Sequence, residues 1–249
     1  MSLAELLAIV GTLGFGIAVL ATLAAGFIRG FVGMGSGMLM APVFAMLFGP
    51  LETVVMIIVL ELAVSFQLLP SSFRKIEWPL VSPMFFGAIF FLPIGTWILV
   101  VVDAEVMSRL ISAVVLLFVI LLAMGWRYRR ERNGAVTVGV GAVSGTLMGA
   151  TSLGGPPVML YLLSGPDSAE QNRANFIGFF ALCLILLVGL LLYQGLLVES
   201  ALIRALVVLP AFITGTWLGS LRFRHSGDTA YRQITLVVLA CVALIGLLR

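Results

Sequence analysis

Gly145–Ser164 reads GTLMGATSLGGPPVMLYLLS. The stretch is apolar enough for a bilayer. Yet Gly149, Gly154, Gly155, Pro156 and Pro157 stand where an uninterrupted spanning helix would run. Proline removes a backbone donor and clashes with the preceding turn, and glycine gives up helix stability. In lipid every backbone N–H and C=O needs a partner, so broken backbone survives only where protein or a water-filled cavity surrounds it. Such breaks are where transporters bind, with half-helix N-termini aimed at anions.

Outward from this stretch, Gly30–Pro42 reads GFVGMGSGMLMAP and Gly145–Pro157 reads GTLMGATSLGGPP, with first Gly and last Pro 12 residues apart in both. A Gly-Pro pair follows each, at Gly49-Pro50 and Gly165-Pro166. Gly95-Thr96-Trp97 is answered by Gly215-Thr216-Trp217, and Arg109 by Arg232. The offsets run from 115 through 120 to 123, as in a duplication with small insertions. Several matches in one order point to an internal repeat. A repeat with interrupted segments at corresponding positions points to a secondary transporter.

The composition fits. Of 249 residues, 61% are hydrophobic and 10% charged, against about 25% charged in soluble domains. Mean hydropathy is +1.20. Apolar runs of roughly 18 residues or more recur from end to end, the mark of a polytopic helical membrane protein. No stretch is long and polar enough for a soluble domain, which weighs against a receptor, sensor kinase or ATP-driven pump. The opening MSLAELLAIV carries Glu5 and no Lys or Arg, so the first helix is expected to be retained rather than cleaved. Cys183 and Cys241 sit in apolar runs and read as small core residues. His225 is the single histidine, in a polar loop, so neither a metal site nor a cofactor is expected. The net charge of +3 calls for no nucleic-acid partner and follows the basic bias of cytoplasmic loops.

Two halves are expected, 1–132 and 133–249. Segments in the first are 4–27, 31–48, 51–70, 79–101 and 108–126. Those in the second are 135–150, 155–165, 173–194, 200–220 and 231–248. Segments 31–48 and 155–165 are short or interrupted and read as half-helices or re-entrant hairpins. Basic loops at Arg74-Lys75, at Arg127, Arg129, Arg130 and Arg132, and at Arg222 and Arg224 are placed in the cytoplasm. Acidic loops with Asp103, Glu105 and Glu199 are placed outside. The 51–70 segment then runs inward and 173–194 outward, so the halves are inverted and both termini lie outside. The expected fold is all-α: two inverted repeats of about five segments each, their Gly/Pro-broken helices meeting near the midplane.

Ionisable groups within the apolar segments each cost about 2.5–3.5 kcal/mol at a helix centre. Glu61 lies in mid-segment, in VLELAV, and reads either as a proton-coupling carboxylate or as the partner of a buried arginine. A protonated Glu bonded to a neighbouring helix is the bland alternative. Arg29 precedes the first break and Arg173 follows the second. Either suits an oxyanion through its planar fork of donors, or serves as an anchor at the membrane edge. Arg204 can simply snorkel outward. Ser36, Thr151 and Ser152 offer hydroxyls within the breaks, beside the backbone of Gly35, Gly37, Gly154, Gly155 and Pro156. Bonding of those hydroxyls to their own helices is the alternative. Asn175 stands two residues after Arg173 and is grouped with it. Glu52 reads as a helix N-terminal acid after Gly49-Pro50. Trp78 and Trp126 read as interfacial anchors.

Gly30–Pro42, Gly145–Leu163, the basic turn Arg74-Lys75 before Trp78, and Asn172–Phe180 (NRANFIGFF) together resemble the sulfite exporter TauE/SafE family, also called the toluene sulfonate uptake permease family. The resemblance covers nearly the whole chain. It implies a duplicated membrane fold and transport of small sulfur-containing or organic anions such as sulfite, sulfonates or sulfoacetate. The family often has a G-x-G-G-G run in its first half. Here Ser36 interrupts it, and Ala150, Thr151 and Ser152 precede Gly154-Gly155-Pro156-Pro157 in the second.

The reading is therefore a multi-pass transporter of the bacterial inner membrane for a small anion, sulfite or an organosulfonate, with Glu61 as coupling group. Arg173 and secondarily Arg29 are the expected anion-binding arginines, with Ser36, Thr151, Ser152 and backbone N–H groups completing the cradle. A passive anion channel and a non-transporting accessory protein are the rivals. An enzyme is not expected, because no nucleophile pair or metal spacing is present. The expected partners are the anion and the bilayer, with homo-oligomerisation left open.

Overall fold

The structure is a computed structural model that describes residues 13–32, 35–124 and 132–223. The start of segment 4–27, the segment 231–248, Gly33, Trp126, Arg127, Arg129, Arg130, Arg224, His225, Arg232 and Cys241 lie outside the described residues. Among the described residues every regular element is helical. In order they are α1 (Leu13–Val32), α2 (Ser36–Phe48), α3 (Pro50–Ser72), a 3₁₀ turn (Phe73–Lys75), α4 (Trp78–Val101), α5 (Ala104–Ala123), α6 (Gly134–Thr151), α7 (Gly155–Leu162), α8 (Ala169–Tyr193) and α9 (Glu199–Phe223). Six of them, α1, α4, α5, α6, α8 and α9, are long and apolar enough to cross a membrane. Large apolar side chains such as Phe86, Phe90, Trp97, Ile185 and Trp217 are exposed on their outer faces, where lipid rather than water can cover them.

The two short helices are well below spanning length. At 13 residues α2 is about 20 Å long, and at 8 residues α7 is about 12 Å, against a hydrocarbon core of about 30 Å. Their boundaries correct the expected breaks. α1 continues through Gly30 to Val32, and α2 begins at Ser36 and runs through Pro42. In the second half, α6 runs unbroken through Gly145 and Gly149 to Thr151. The interruption narrows to Ser152–Gly154, and Pro156 and Pro157 open α7, where a missing N–H leaves no bond unmade.

Gly145 and Gly149 have a different purpose. α4 lies so close to α6 that a Cβ on Gly149 would come within 2.3 Å of the Leu92 carbonyl, and one on Gly145 within 2.8 Å of the Ala88 Cα. From the other side, a Cβ on Gly95 would meet the Thr146 carbonyl at 2.2 Å. α1 and α9 meet in the same manner: a Cβ on Gly26 would lie 2.3 Å from the Phe212 carbonyl, and one on Gly215 2.2 Å from that of Leu23. Small residues allow this backbone approach, and dispersion then holds helices that lipid does not drive together. These two pairs, α4 with α6 and α1 with α9, are the most extensive helix contacts. α3 and α8 are enclosed between them, with Val54–Ile58 and Leu60 of α3 and Phe179, Cys183 and Leu187 of α8 in the core.

Candidate functional site

The two interruptions meet. At the head of α2, a Cβ on Gly37 would lie 3.5 Å from the Ser152 carbonyl and 3.8 Å from the Leu153 side chain. α7 starts two residues beyond Leu153, so both short helices begin at this junction. The chain turns there by left-handed backbone, at Gly35 (φ 91°) and at Ser152 (φ 62°). Glycine takes that conformation freely, whereas a serine is strained in it, which marks Ser152 as a position fixed by its surroundings.

A buried ion pair stands at the head of α2. Arg29, on the last turn of α1, is 3% exposed, and Glu61, in mid-α3, is 5% exposed. Arg29 Nη2 lies 3.0 Å from Glu61 Oε2. Ser36, the first residue of α2, donates its hydroxyl to Glu61 Oε1. The pair is in contact but incompletely satisfied: Glu61 Oε2 and Arg29 Nε have no partner in hydrogen-bond geometry among the described residues. A membrane interior makes either charge alone costly, and the short helix adds a fractional positive charge at its N-terminus that favours the carboxylate.

The hydroxyls of the second interruption are used structurally. Thr151 Oγ1 donates to the Leu147 carbonyl at 2.7 Å and accepts the Leu153 N–H at 3.2 Å. Ser152 Oγ reaches the Val54 carbonyl of α3 at 3.5 Å. Ser144 donates to the Gly154 carbonyl, and no side chain fits at Gly154, where a Cβ would press on Met148 and Ser144. The head of α7 is apolar in lining: Gly155 faces the rings of Phe176 and Phe180, which stack with centroids 4.5 Å apart, and Pro156 is buried.

Arg173 and Asn175 are not brought to this cluster. Arg173 is exposed in the second turn of α8. Asn175 is buried but engaged with the segment before α4: its Oδ1 accepts the Glu77 N–H at 2.7 Å, and its Nδ2 donates to Glu77 Oε2 at 3.4 Å. It satisfies the backbone N–H of Glu77, the residue that precedes α4 and does not cap that helix with its own side chain. Nearby, Lys75 pairs with Glu170, and Gln171 donates to the Lys75 carbonyl.

Two further arginines hold the opposite ends of the short helices, an arrangement that charge and spacing alone did not suggest. Arg132 pairs with Asp167, donates to the Leu162 carbonyl at 2.7 Å, and lies 5.5 Å from the ring centre of Tyr161. Arg204 pairs with Glu52 rather than snorkelling outward, and lies 4.9 Å from the ring centre of Phe48. Ser200 adds a 2.9 Å hydrogen bond to Glu52. In each case a cation sits on an aromatic residue in the last turn of a short helix, where the dipole favours it. The shared signal in the sequence is an aromatic residue ahead of Gly-Pro and an acid one or two residues after it.

Six membrane-capable helices, and two short helices whose heads meet beside a buried ion pair, make this a multi-pass helical membrane protein. A family model described as sulfite exporter TauE/SafE matches residues 18–245. The chain belongs to the sulfite exporter TauE/SafE family, which is a family of transporters and not of enzymes. Searches of curated proteins and of solved structures found no match.

Proposed function

We propose that this protein is a secondary transporter of the bacterial inner membrane for a small oxyanion, sulfite or an organosulfonate, coupled to protons through Glu61. The observation that carries the reading is the Arg29–Glu61–Ser36 cluster at the head of α2. A guanidinium matches the edge of an oxyanion with two parallel donors. The first N–H groups of a helix add further donors that no intrahelical carbonyl takes. Arg29 is the anion receptor, supported by Ser36, by the backbone around Gly35 and Gly37, and by Ser152 across the junction. The stacked Phe176 and Phe180 rings at the head of α7 give an apolar wall for an organic substituent. The two inverted halves rock about the junction, and the Arg132 and Arg204 contacts hold the far ends of the short helices as they move.

Flux of labelled sulfite into proteoliposomes tests this. Arg29→Gln lowers uptake by about 100-fold, the equivalent of a lost charge-assisted contact of about 3 kcal/mol. Arg173→Ala, in the exposed turn, changes it little. Normal uptake by folded Arg29→Gln protein contradicts the assignment.

A further inference from the structure

Glu61 is bound as a substrate anion would be. One oxygen takes the Ser36 hydroxyl and the other faces the Arg29 guanidinium, at the head of a short helix. A sulfonate or hydrogen sulfite group presents the same pair of oxygens to the same donors. We infer that Glu61 is an internal stand-in for the transported anion: a proton on Glu61 frees Arg29, and the site then takes one monoanionic oxyanion together with that proton. This deepens the transporter reading above and rests on it.

Two observations support the exchange. First, the pair is under-satisfied. Arg29 Nε is buried without a hydrogen-bond partner among the described residues, and Glu61 Oε2 touches the guanidinium without hydrogen-bond geometry. A guanidinium has five N–H donors, and this carboxylate leaves part of the fork for a second ligand. Second, the charge around Glu61 is simple. Of the elements packed against α3, helices α2, α4 and α6 carry no charged residue. α5 carries Glu105 and Arg109, paired with each other. α8 carries Glu170 and Arg173 in its first two turns, and the 3₁₀ turn carries Arg74 and Lys75. α9 carries Glu199, Arg204 and Arg222. Arg204 is held by Glu52, which lies nine residues, or about 14 Å of helix, from Glu61. From α1, Arg29 is the charged side chain in contact.

The site therefore balances one positive charge with one negative. With Glu61 ionised it is neutral and occupied from within. With Glu61 protonated and a monoanion bound it is neutral again. A dianion, or a monoanion beside ionised Glu61, leaves an uncompensated negative charge in a low-dielectric interior, which is disfavoured. The proton enters from water on the side where the anion enters, rests on the Oε2 that faces Arg29, and returns to water on the other side as the carboxylate recovers its partner. Sulfonates and hydrogen sulfite are accepted on this account, and sulfate is rejected.

The test is binding of methanesulfonate to the purified full-length protein across a pH series, with sulfate as the dianion control. Wherever the free protein holds Glu61 as a carboxylate, the affinity of the unaltered protein falls about tenfold per pH unit, one proton per anion. In weakly buffered solution, addition of methanesulfonate draws one proton from the medium per anion bound, a reading that needs no variant. Glu61→Gln binds methanesulfonate with no pH dependence and takes up no proton. Sulfate competes in neither protein. Binding by the unaltered protein without pH dependence or proton uptake, or sulfate competing as well as methanesulfonate, overturns the stand-in role and leaves an anion transporter of another design. Binding of neither sulfite nor methanesulfonate by either protein overturns both readings.

Discussion

Arg29 and Glu61 are each unaffordable alone inside a bilayer, and each is tolerated because the other is 3.0 Å away. Removing one partner is therefore worse than neutralising both. Arg29→Ala is expected to cost about 3–5 kcal/mol of stability by leaving a buried carboxylate uncompensated. The double variant Arg29→Gln with Glu61→Gln recovers most of that loss and still fails to transport. Thermal unfolding in detergent, beside liposome flux, separates the two effects; equal destabilisation in both variants would show that the charges do not compensate each other. Ser36→Ala removes one hydrogen bond to an ionised group, worth about 1.5–3 kcal/mol, and weakens anion uptake by roughly 10-fold or more. Glu61, Arg29 and Ser36 were legible in the sequence because charge in an apolar run and a hydroxyl in a glycine-rich one are both anomalies. Which side chains Glu61 meets was not, since 25 residues separate it from Ser36 and 32 from Arg29 along the chain. Arg173 and Asn175 carried the same chemistry in the sequence. Their separation from the cluster follows from the helical turn that exposes one and the Glu77 backbone that claims the other.

At the scale of elements, glycine was the ambiguous letter. A glycine that breaks a helix and a glycine that lets two helices touch are indistinguishable in a single chain. Gly145 and Gly149 looked like part of the break and are contact positions between α6 and α4, whereas Gly35 turns the chain with positive φ. The short lengths of α2 and α7 were legible, because glycine and proline clusters bounded them. α6 offers an internal control for the contact role. A Cβ on Gly141 would stand 1.8 Å from the Met84 carbonyl, and one on Gly139, two residues earlier, would meet nothing. Gly141→Ala is expected to push α4 from α6 and lower stability by several kcal/mol, beyond the usual range of overpacking of about 1–3 kcal/mol. Gly139→Ala is expected to be neutral or to gain up to about 1 kcal/mol from helix propensity. Similar unfolding temperatures for the two variants would remove the close approach from the account.

Among the described residues, the most extensive helix contacts join the two proposed halves: α1 with α9, and α4 with α6. The glycine contacts support the proposed duplication. Gly149 faces Leu92 and Thr96, and Gly26 faces Phe212 and Thr216; Gly95 faces Thr146 and Ala150, and Gly215 faces Leu23 and Phe27. The register is 123 residues between α1 and α6 and 120 between α4 and α9. The 115-residue spacing of the two Gly/Pro motifs is not the register of the helices that carry them: Gly30 lies in α1 and Gly145 in α6, where the 123-residue register pairs Gly30 with Leu153. In the 123-residue register Arg29 corresponds to Ser152, so one half brings the charge and the other a hydroxyl. Segments 1–132 and 133–249 expressed separately should each be degraded, since each lacks the partner for its first and fourth helices. Co-expressed, they should assemble and restore flux; a stable, helical, monomeric half would contradict interlocked halves.

In the proposed mechanism the junction of the two short helices moves an oxyanion with a proton. Its most direct test is uptake of labelled methanesulfonate by proteoliposomes with and without an imposed inward proton gradient. The account predicts accumulation above the equilibrium level only with the gradient, abolished by Arg29→Gln and reduced to gradient-independent exchange by Glu61→Gln. Uptake that stops at equilibrium whatever the gradient, or that survives Arg29→Gln unchanged, would contradict it.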